Sequence, residues 1–310
     1  MKRIERLDAT SEAVRCGAVS IGNFDGVHRG HARIVERLLA MAATVGGPAV
    51  VFSFEPHPAR VLRPHLAPTP LVWPERKVEL LARLGVDAVV LYPTDERLLE
   101  MTAPQFCKEI LIDRLAVRGL VEGTNFFFGR DRVGNVETLR QFARQAGIAL
   151  EVVPPLEIGG RMVSSSRIRE LIAGGEVEAA RTMLTEPYRI CGRVVPGSGR
   201  GAELGFPTAN LSDIKNLIPG EGIFAGRAAI DGGEWPAAIS VGPNPTFDDE
   251  RFKVEVYLDG LRSDLYGRWL EVEFLKRLRD VKKYRTLEEL VAQLARDVAQ
   301  TREIAGRVVV

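Results

Sequence analysis

The sequence predicts an α/β domain built on a parallel sheet, followed by an antiparallel β domain that ends in a helix. In the first half, strand-like and helix-like segments alternate, which is typical of a parallel sheet covered by helices on both faces. After about Leu184, short β-like runs are separated by turns rich in Gly, Pro, Asn and Asp, which indicates a barrel or a sandwich. The length of 310 residues also favours two domains.

The predicted strands of the first half are short apolar runs, at 18–21, 48–54, 86–91, 117–121 and 148–153. Between them, helical spacing of apolar residues predicts helices from about Ile34 onward and over 73–84, 102–115 and 136–146. Thr102 and Gln105 form a capping box, and Gly147 ends the last of these helices. A further helix begins in the serine-rich segment after the fifth strand.

The second half is predicted to contain strands at 188–195, 222–230, 235–241, 252–258 and 270–275. Thr286 and Glu289 then form a capping box that opens an amphipathic helix. We place the domain boundary near Glu186 and Pro187, which gives domains of 1–186 and 187–310.

Charge and cysteine content exclude several classes of protein. Lys plus Arg number 42 against 41 for Asp plus Glu, a balance that argues against a nucleic-acid partner. No apolar run is long enough for a bilayer, and 1–6 does not resemble a signal peptide, so no membrane partner is expected. Cys16, Cys107 and Cys191 show neither metal spacing nor a disulfide framework, so we expect buried free thiols and a cytoplasmic location.

The sequence Gly-Asn-Phe-Asp-Gly-Val-His-Arg-Gly-His at 22–31 lies between the first strand and the first helix. Unpaired N–H groups and a positive dipole make a helix start at this place a binding site for phosphate. Two of the four histidines of the chain, His28 and His31, are three residues apart and would share a face. They suggest a nucleotide site, although a histidine pair near a turn is as often polar surface.

Two other segments also follow predicted strands. Residues 122–130 carry a Gly-Thr-Asn turn, and 164–169 read Ser-Ser-Ser-Arg-Ile-Arg at a helix start. Hydroxyl and guanidinium groups there can bind phosphate oxygens, although serines before a helix are often only caps. Because all three segments would meet at the ends of strands in one sheet, together they favour a functional site.

These motifs resemble the FMN-adenylyltransferase half of prokaryotic bifunctional riboflavin kinases/FAD synthetases, and 52–58, Phe-Ser-Phe-Glu-Pro-His-Pro, matches a second loop of that family. The resemblance implies a Rossmann-like nucleotidyltransferase sheet in which His28 and His31 stabilise the α-phosphate in flight. It further implies ATP-binding residues Asn23, Phe24, Gly30, Ser165, Ser166 and Arg169, and flavin-binding residues Phe54, His57 and Asn125. Asn125 stands where many relatives carry Asp.

The second half contains Gly-Phe-Pro-Thr-Ala-Asn at 205–210, preceded by the glycine-rich 197–201. This is not a Walker A sequence, since no Gly-Lys-Ser/Thr follows. It resembles the Pro-Thr-Ala-Asn signature of riboflavin kinases, which implies an antiparallel β-barrel. The resemblance also implies that Thr208 and Asn210 bind Mg²⁺ with the ATP phosphates, because oxygen ligands suit this hard cation. The glycine loop, with Gly197, Arg200 and Gly201, would then close over the phosphates.

A ribityl hydroxyl is neutral at pH 7, so its phosphorylation benefits from a carboxylate base. The alternation in 252–258 places Glu255 and Tyr257 on one face of a strand. From spacing alone, Glu255 would more often be a solvent-facing residue on an edge strand. The family resemblance instead implies that Glu255 is the catalytic base.

We therefore expect a bifunctional enzyme that uses Mg²⁺ in both reactions. Riboflavin and ATP give FMN in the C-terminal domain, and FMN and ATP give FAD and pyrophosphate in the N-terminal domain. One alternative is a single-activity enzyme, suggested by Asn125 and by the glycine loop, in which Ser198 and Gly199 stand where the family commonly carries a charged residue. Another is a non-enzymatic flavin- or nucleotide-binding regulator. The joint presence of five site residues argues against it: His28, His31, Thr208, Asn210 and Glu255. No oligomeric state is predicted.

Overall fold

The computed structural model describes residues 1–4, 12–230, 232–247 and 249–306. The chain forms two compact units: Met1–Thr69 with Pro74–Ser164, and Pro70–Trp73 with Ser165–Val310. This division precedes the functional boundary predicted near Glu186, so the two helices before that residue are grouped with the second unit. Residues 5 and 6 of the N-terminal segment, and 307–310 of the predicted second domain, lie outside the described residues.

The strands of the first unit are β1 (Lys2–Ile4), β2 (Ala18–Ile21), β3 (Ala49–Glu55), β4 (Ala88–Pro93), β5 (Gly119–Gly123), β6 (Phe127–Phe128), β7 (Gly134–Asn135), β8 (Ala149–Val153), β9 (Glu157–Ile158) and β10 (Arg161–Met162). Six of them form a parallel sheet in the order β1-β4-β3-β2-β5-β8. The predicted parallel sheet is confirmed, and each of the five predicted strands is present. The sequence did not predict β1, because three residues with two charges carry no strand pattern.

The helices of the first unit are α1 (Arg29–Val45), α2 (Pro58–Leu62), α3 (Pro74–Arg83), α4 (Glu96–Glu100), α5 (Ala103–Phe106) and α6 (Val136–Ala146). The Thr102 capping box is confirmed, because Thr102 and Gln105 exchange both backbone-to-side-chain bonds. The helix over 102–115 is not uniform, since α5 continues as a π-helix over Cys107–Arg114. Gly147 ends α6 with φ of 69°, as predicted.

The core of the first unit lies against the central strands. Val19, Val50, Phe52, Val90 and Leu120 are fully buried. Their strands are continuous apolar runs because helices cover both faces of a parallel sheet, so that side chains on either face are buried. The sheet therefore forms a rigid support for the loops that leave its carboxyl ends.

The second unit contains α7 (Ser165–Ala173), α8 (Val177–Met183), β11 (Tyr188–Val195), α9 (Arg200–Glu203), β12 (Thr208–Ser212), β13 (Gly222–Ile230), β14 (Gly233–Asn244), β15 (Asp249–Leu258), β16 (Trp269–Arg279) and α10 (Leu287–Ala305). Its strands form a closed antiparallel barrel in the order β11-β12-β15-β14-β13-β16. The barrel closes because β16 pairs with β11 as well as with β13. Of the barrel and sandwich that the sequence left open, the structure shows the barrel.

The predicted C-terminal helix is present as α10. The Thr286 side chain accepts a hydrogen bond from the Glu289 backbone N–H, whereas the Glu289 carboxylate accepts from Arg285. The capping box is therefore only half formed, with its second bond shifted by one residue. Buried Leu290 and Val298 lie on α10.

Two further predictions concern membranes and cysteines. Among the described residues, none of the helices combines the length and the apolar character needed to cross a membrane. All three cysteines are free thiols, and Cys107 and Cys191 are buried as predicted. Cys16 is only half-buried, which corrects the prediction for that residue.

Candidate active sites

The loop that joins β2 to α1 has a strained backbone. Phe24, Gly26 and Val27 have positive φ values of 47°, 82° and 39°. Such a φ is unusual for a β-branched residue, and Val27 is also fully buried. Strained backbones of this kind cluster at functional sites, where the surrounding structure holds them in place. The loop is therefore the first candidate site.

His28 ends this loop as the cap of α1 and His31 lies in the first turn of α1, where the two side chains meet on one face as the sequence predicted. Their imidazole rings are stacked, with centroids 3.6 Å apart and planes inclined by 13°. His28 caps α1, and its Nδ1 accepts a hydrogen bond of 3.2 Å from the His31 backbone N–H. This bond assigns the proton of a neutral His28 ring to Nε2, which is then available as a donor.

Burial keeps both histidines neutral near pH 7. Loss of hydration lowers the pKa of His28 to about 4. The pKa of His31 is also lowered well below its usual value, first by burial and then by electrostatic interaction with His28 and Lys77, which opposes a second positive charge. Each ring therefore offers a ligand one N–H donor and no net charge.

Two buried side-chain atoms at this loop and the start of α1 have no hydrogen-bond partner. The buried atoms Asn23 Oδ1 and His31 Nδ1 are unpaired. A Cβ at Gly30 would lie 3.0 Å from the His28 ring, so glycine leaves room for that ring. The Phe24 ring lies 4.9 Å from His31. Since buried polar groups are nearly always paired, the unpaired atoms indicate a site that a polar ligand completes.

The predicted flavin-binding residues lie at the carboxyl ends of β3 and β5, two strands that are separated in the sheet by β2. Phe54, near the end of β3, is half-buried and packs edge-on against Phe52 at 5.4 Å. His57 caps α2, with its Nδ1 accepting from the Ala59 backbone N–H at 3.0 Å. Asn125 is exposed in the turn that follows β5. Their contact with flavin stays a prediction.

Ser165, Ser166 and Arg169 belong to the second compact unit. Ser165 and Ser166 are the first two residues of α7, so the predicted helix start is confirmed. Ser165 and Arg169 are half-buried, whereas Ser166 is exposed. Their part in ATP binding stays a prediction.

Sequence reasoning missed two buried charged residues of the first unit. Glu122 on β5 accepts a 2.7 Å hydrogen bond from the Ile21 backbone N–H, and burial raises its pKa well above the usual value. Lys77 on α3 is 6% exposed and donates to the Ser53 hydroxyl at 3.3 Å. Its spacing of three and four residues from the buried Leu80 and Leu81 was the available signal, because it places Lys77 on the apolar face of α3.

The second candidate site is a cavity of about 210 Å³ in the second unit. It is lined by all six residues that the sequence assigned to the kinase site: Gly197, Arg200, Gly201, Thr208, Asn210 and Glu255. Residues from β14, the segment after β16 and α10 complete its walls.

The register of the barrel strands explains how these side chains meet. Asn210 on β12 lies opposite Glu255 on β15, and Thr208 lies opposite Tyr257. On its other side Glu255 lies opposite Ser240 of β14. Directly opposite residues place their side chains on the same face of the sheet. The edge-strand expectation for Glu255 is therefore wrong, because β15 is paired on both sides.

The glycine-rich loop approaches β12 closely. A Cβ at Gly197 would overlap the Asn210 amide, and one at Gly201 would lie 3.2 Å from Thr208 Oγ1. Only glycine allows the loop backbone to lie at this distance from both side chains. Phe206 packs edge-on against Tyr257 at 5.6 Å.

The lining of the cavity also includes an ion pair and a buried tyrosine. The Arg279 guanidinium binds the buried Asp297 carboxylate, with Nη2 to Oδ2 at 2.7 Å. The Tyr284 hydroxyl is buried without a hydrogen-bond partner, and burial raises its pKa. Lys282 Nζ lies 4.9 Å from the centre of the Tyr284 ring.

Comparison with protein families gives two matches along the chain. A family model described as FAD synthetase matches residues 10–167, and one described as Riboflavin kinase matches residues 184–305. The bifunctional riboflavin kinase/FMN adenylyltransferase of Pseudomonas fluorescens is 37% identical over 288 residues, covering 93% of this chain and 92% of the relative. The protein of the same name from Escherichia coli (strain K12) is 34% identical over 308 residues, covering 99% and 98%.

A solved structure shows the same fold over nearly the whole chain. The crystal structure named as a macrolide-efflux protein from Streptococcus pneumoniae superposes with a TM-score of 0.84 at 29% identity, covering 97% of this chain and 99% of that one. The superposition shows that the two chains share a fold, whereas the matched family models and the named relatives indicate the activity. The chain therefore belongs to the family of bifunctional riboflavin kinases/FMN adenylyltransferases, whose two activities convert riboflavin to FMN and FMN to FAD with ATP.

Proposed function

We propose that the strained loop after β2 carries the adenylyl-transfer step. The attacking atom is a phosphate oxygen of FMN, which is anionic at pH 7, so no protein base is needed. The α-phosphoryl group instead needs hydrogen-bond donors where its negative charge develops. The stacked, neutral pair of His28 and His31 supplies such donors, and this pair is the observation that carries the proposal.

Other residues complete the proposed adenylyl-transfer site. Asn23, Phe24 and Gly30 shape the ATP pocket around the histidine pair. Ser165, Ser166 and Arg169 bind the β- and γ-phosphates that leave as pyrophosphate, since hydroxyl and guanidinium groups at a helix start suit these anions. Phe54, His57 and Asn125 contact the flavin.

In the second unit, we assign Glu255 as the base that takes the proton from the ribityl hydroxyl of riboflavin. The register that places Glu255 against Asn210 in the cavity wall carries this assignment. The oxygen freed of its proton attacks the γ-phosphate of ATP, and ADP leaves. Gly197, Arg200 and Gly201 form the loop over the ATP phosphates.

Mg²⁺ fits the donor set beside this glutamate. Thr208 and Asn210 each offer a neutral oxygen, and they lie on the same face of β12. Among the described residues there is no group of three or more His, Cys, Asp or Glu that could hold a metal. The remaining ligands would therefore come from ATP phosphates, whose charge the cation would neutralise.

The proposal also includes the domain boundaries, the partners and the cellular location. The functional domains are 1–186 and 187–310, and the partners are small molecules, namely ATP, riboflavin and FMN, with neither nucleic acid nor membrane. A cytoplasmic location agrees with the three free thiols, which persist in reducing compartments.

Replacement of Glu255 tests the assignment of the kinase site. Glu255→Gln should lower FMN formation from riboflavin about 100-fold or more, because it removes the base, and should leave conversion of FMN to FAD unchanged. Glu250→Gln is the matched control, an exposed glutamate on the same strand that should keep both activities. Separation of the flavins after incubation with ATP and Mg²⁺ gives both rates. Near-normal kinase activity in Glu255→Gln, or loss of both activities, would overturn the assignment.

A further inference from the structure

Lys77 is a buried cation that the reaction as described so far does not use. It lies on α3 and is 6% exposed. The hydrogen bond that the structure gives its ammonium goes to the Ser53 hydroxyl at 3.3 Å. Burial lowers the pKa of Lys77, whereas the nearby carboxylates of Glu55 and Asp25 raise it. Holding a lysine in this way costs free energy, so its presence calls for a physical reason.

The position of Lys77 connects it to the loop after β2. Ser53 donates its hydroxyl hydrogen to the Asn23 backbone carbonyl at 3.2 Å. The chain of bonds therefore runs from the Lys77 ammonium through Ser53 to the segment that begins the strained turn. Phe24 and Val27, with their positive φ values, follow directly. The hydrogen bond to the Asn23 carbonyl therefore holds the backbone in place where the strained turn begins.

The charge of Lys77 also acts on His31. Its positive charge contributes to the lowered pKa of His31. Both imidazoles are neutral, so their own rings bring no positive charge to a polyphosphate. The buried ammonium supplies that charge in a region where poor hydration makes a charge act over a longer distance.

We propose that Lys77 is a positioning residue of the adenylyl-transfer site, which holds the Asn23 turn through Ser53 and places a fixed positive charge beside His31. The proposal rests on the assignment of His28 and His31 to the α-phosphate of ATP. It concerns the transfer step more than the fold, because the effect of burial on the Lys77 ammonium exceeds that of the nearby carboxylates, so a buried charge at this position costs free energy.

Lys77→Met removes the charge and keeps the length of the side chain. It should lower kcat for conversion of FMN to FAD about 10-fold to 100-fold, while the thermal midpoint stays the same or rises and the riboflavin kinase rate is unchanged. Lys77→Arg should recover part of the rate. Lys108→Met is the matched control, an exposed lysine of the same unit that pairs with Asp113. It should behave as the unmodified protein in every measurement.

A second readout separates positioning from simple structural support. The chain has four histidines, so their ring protons can be followed individually by NMR. The pKa of His31 should rise in Lys77→Met, because a neighbouring positive charge is removed, and should not change in Lys108→Met. Ser53→Ala, which keeps the charge but breaks the connection to Asn23, should lower kcat while the pKa of His31 stays low.

Four outcomes would overturn the inference. Unchanged FAD formation in Lys77→Met would do so, as would loss of activity together with a lower thermal midpoint. An unchanged pKa of His31, or full activity in Ser53→Ala, would also contradict it. The double variant His28→Ala with His31→Ala tests the proposed site separately. If the double variant still forms FAD, the assignment of the histidine pair to adenylyl transfer is wrong. If only Lys77→Met still forms FAD, that assignment stands and the role proposed for Lys77 is wrong.

Discussion

Asn210 and Glu255 lie directly opposite each other on β12 and β15, in the wall of the barrel cavity. In the proposed kinase site, this pairing places the Asn210 amide oxygen, a proposed ligand of the cation, next to the Glu255 carboxylate, the proposed base. The hydroxyl to be phosphorylated and the phosphate that receives it must meet within the same few ångströms. The barrel register therefore brings together the two requirements of the kinase reaction.

Asn210→Ala should lower the riboflavin kinase rate at least about 10-fold and raise the Mg²⁺ concentration that gives half of the maximal rate. The reason is the loss of one of two protein oxygen ligands. Titration of Mg²⁺ at fixed ATP measures the effect, with FMN adenylylation in the same sample as the internal control. An unchanged Mg²⁺ dependence would remove Asn210 from the proposed cation site.

Gly197→Ala should impair the kinase without affecting FAD formation from FMN. The added Cβ overlaps the Asn210 amide, and relief of such overpacking typically costs about 1–3 kcal/mol. We therefore expect kcat/KM for riboflavin phosphorylation to fall roughly 5-fold to 100-fold. Steady-state kinetics with varied ATP measures this change, and unaltered kinetics would show that the loop does not lie on β12 during the reaction.

The burial of His28 predicts how the first unit responds to acid. The pKa of His28 is lowered to about 4 in the folded protein, against 6.5 for an ordinary histidine. Below pH 6.5 the unfolded chain therefore binds more protons than the folded one, and stability falls as the pH drops towards 4. At pH 5 the loss from His28 alone is about 2 kcal/mol.

His28→Asn should remove this part of the pH dependence, because asparagine can still cap α1 but does not titrate. Hydrogen exchange of α1 amides at pH 7 and pH 5, corrected for intrinsic rates, reports local stability in both proteins. His57→Asn is a control on a half-buried histidine that also caps a helix. Equal pH dependence in His28→Asn and in the unmodified protein would contradict the account.

Tyr284→Phe should stabilise the ligand-free protein. The Tyr284 hydroxyl is buried without a partner, and leaving such a group unpaired costs about 1–3 kcal/mol. Its removal should raise the thermal midpoint by roughly 2–4 °C for each kcal/mol gained. Calorimetry without ATP and flavin measures the shift. A lower midpoint would show that the hydroxyl has a partner in solution.

The sequence predicted those parts of the fold that depend on local pattern. The central strands of the sheet, α6 with its glycine end and five of the six barrel strands follow from periodicity and turn residues. Closure of the barrel depends on pairing of β11 with β16, which are far apart in sequence, so spacing alone left a sandwich open. For the same reason β12 was missed, since Thr208–Ser212 is a strand only because distant partners flank it.

The residues of the candidate sites likewise divide into those that a local sequence pattern or a motif predicts and those that depend on packing in the folded chain. The loop motif pointed to His28 and His31, whereas Glu255 was predicted only from the family resemblance, because its spacing alone favoured a solvent-facing residue. Lys77 was not found because burial of a lysine depends on what α3 packs against, and helical spacing shows only that it faces the apolar side. The π-helix over Cys107–Arg114 likewise follows from packing in the folded chain, since its residues do not differ from those of an α-helix.

The central claim is that one chain carries two separate sites, with the histidine pair serving one and Glu255 the other. Mixing two variants tests it most directly. The variant with His28→Ala and His31→Ala should make only FMN from riboflavin, and Glu255→Gln should make FAD only from added FMN. An equimolar mixture supplied with riboflavin, ATP and Mg²⁺ should form FAD, whereas neither variant alone should. A mixture that forms no FAD, although each variant keeps its own half-reaction, would contradict the claim.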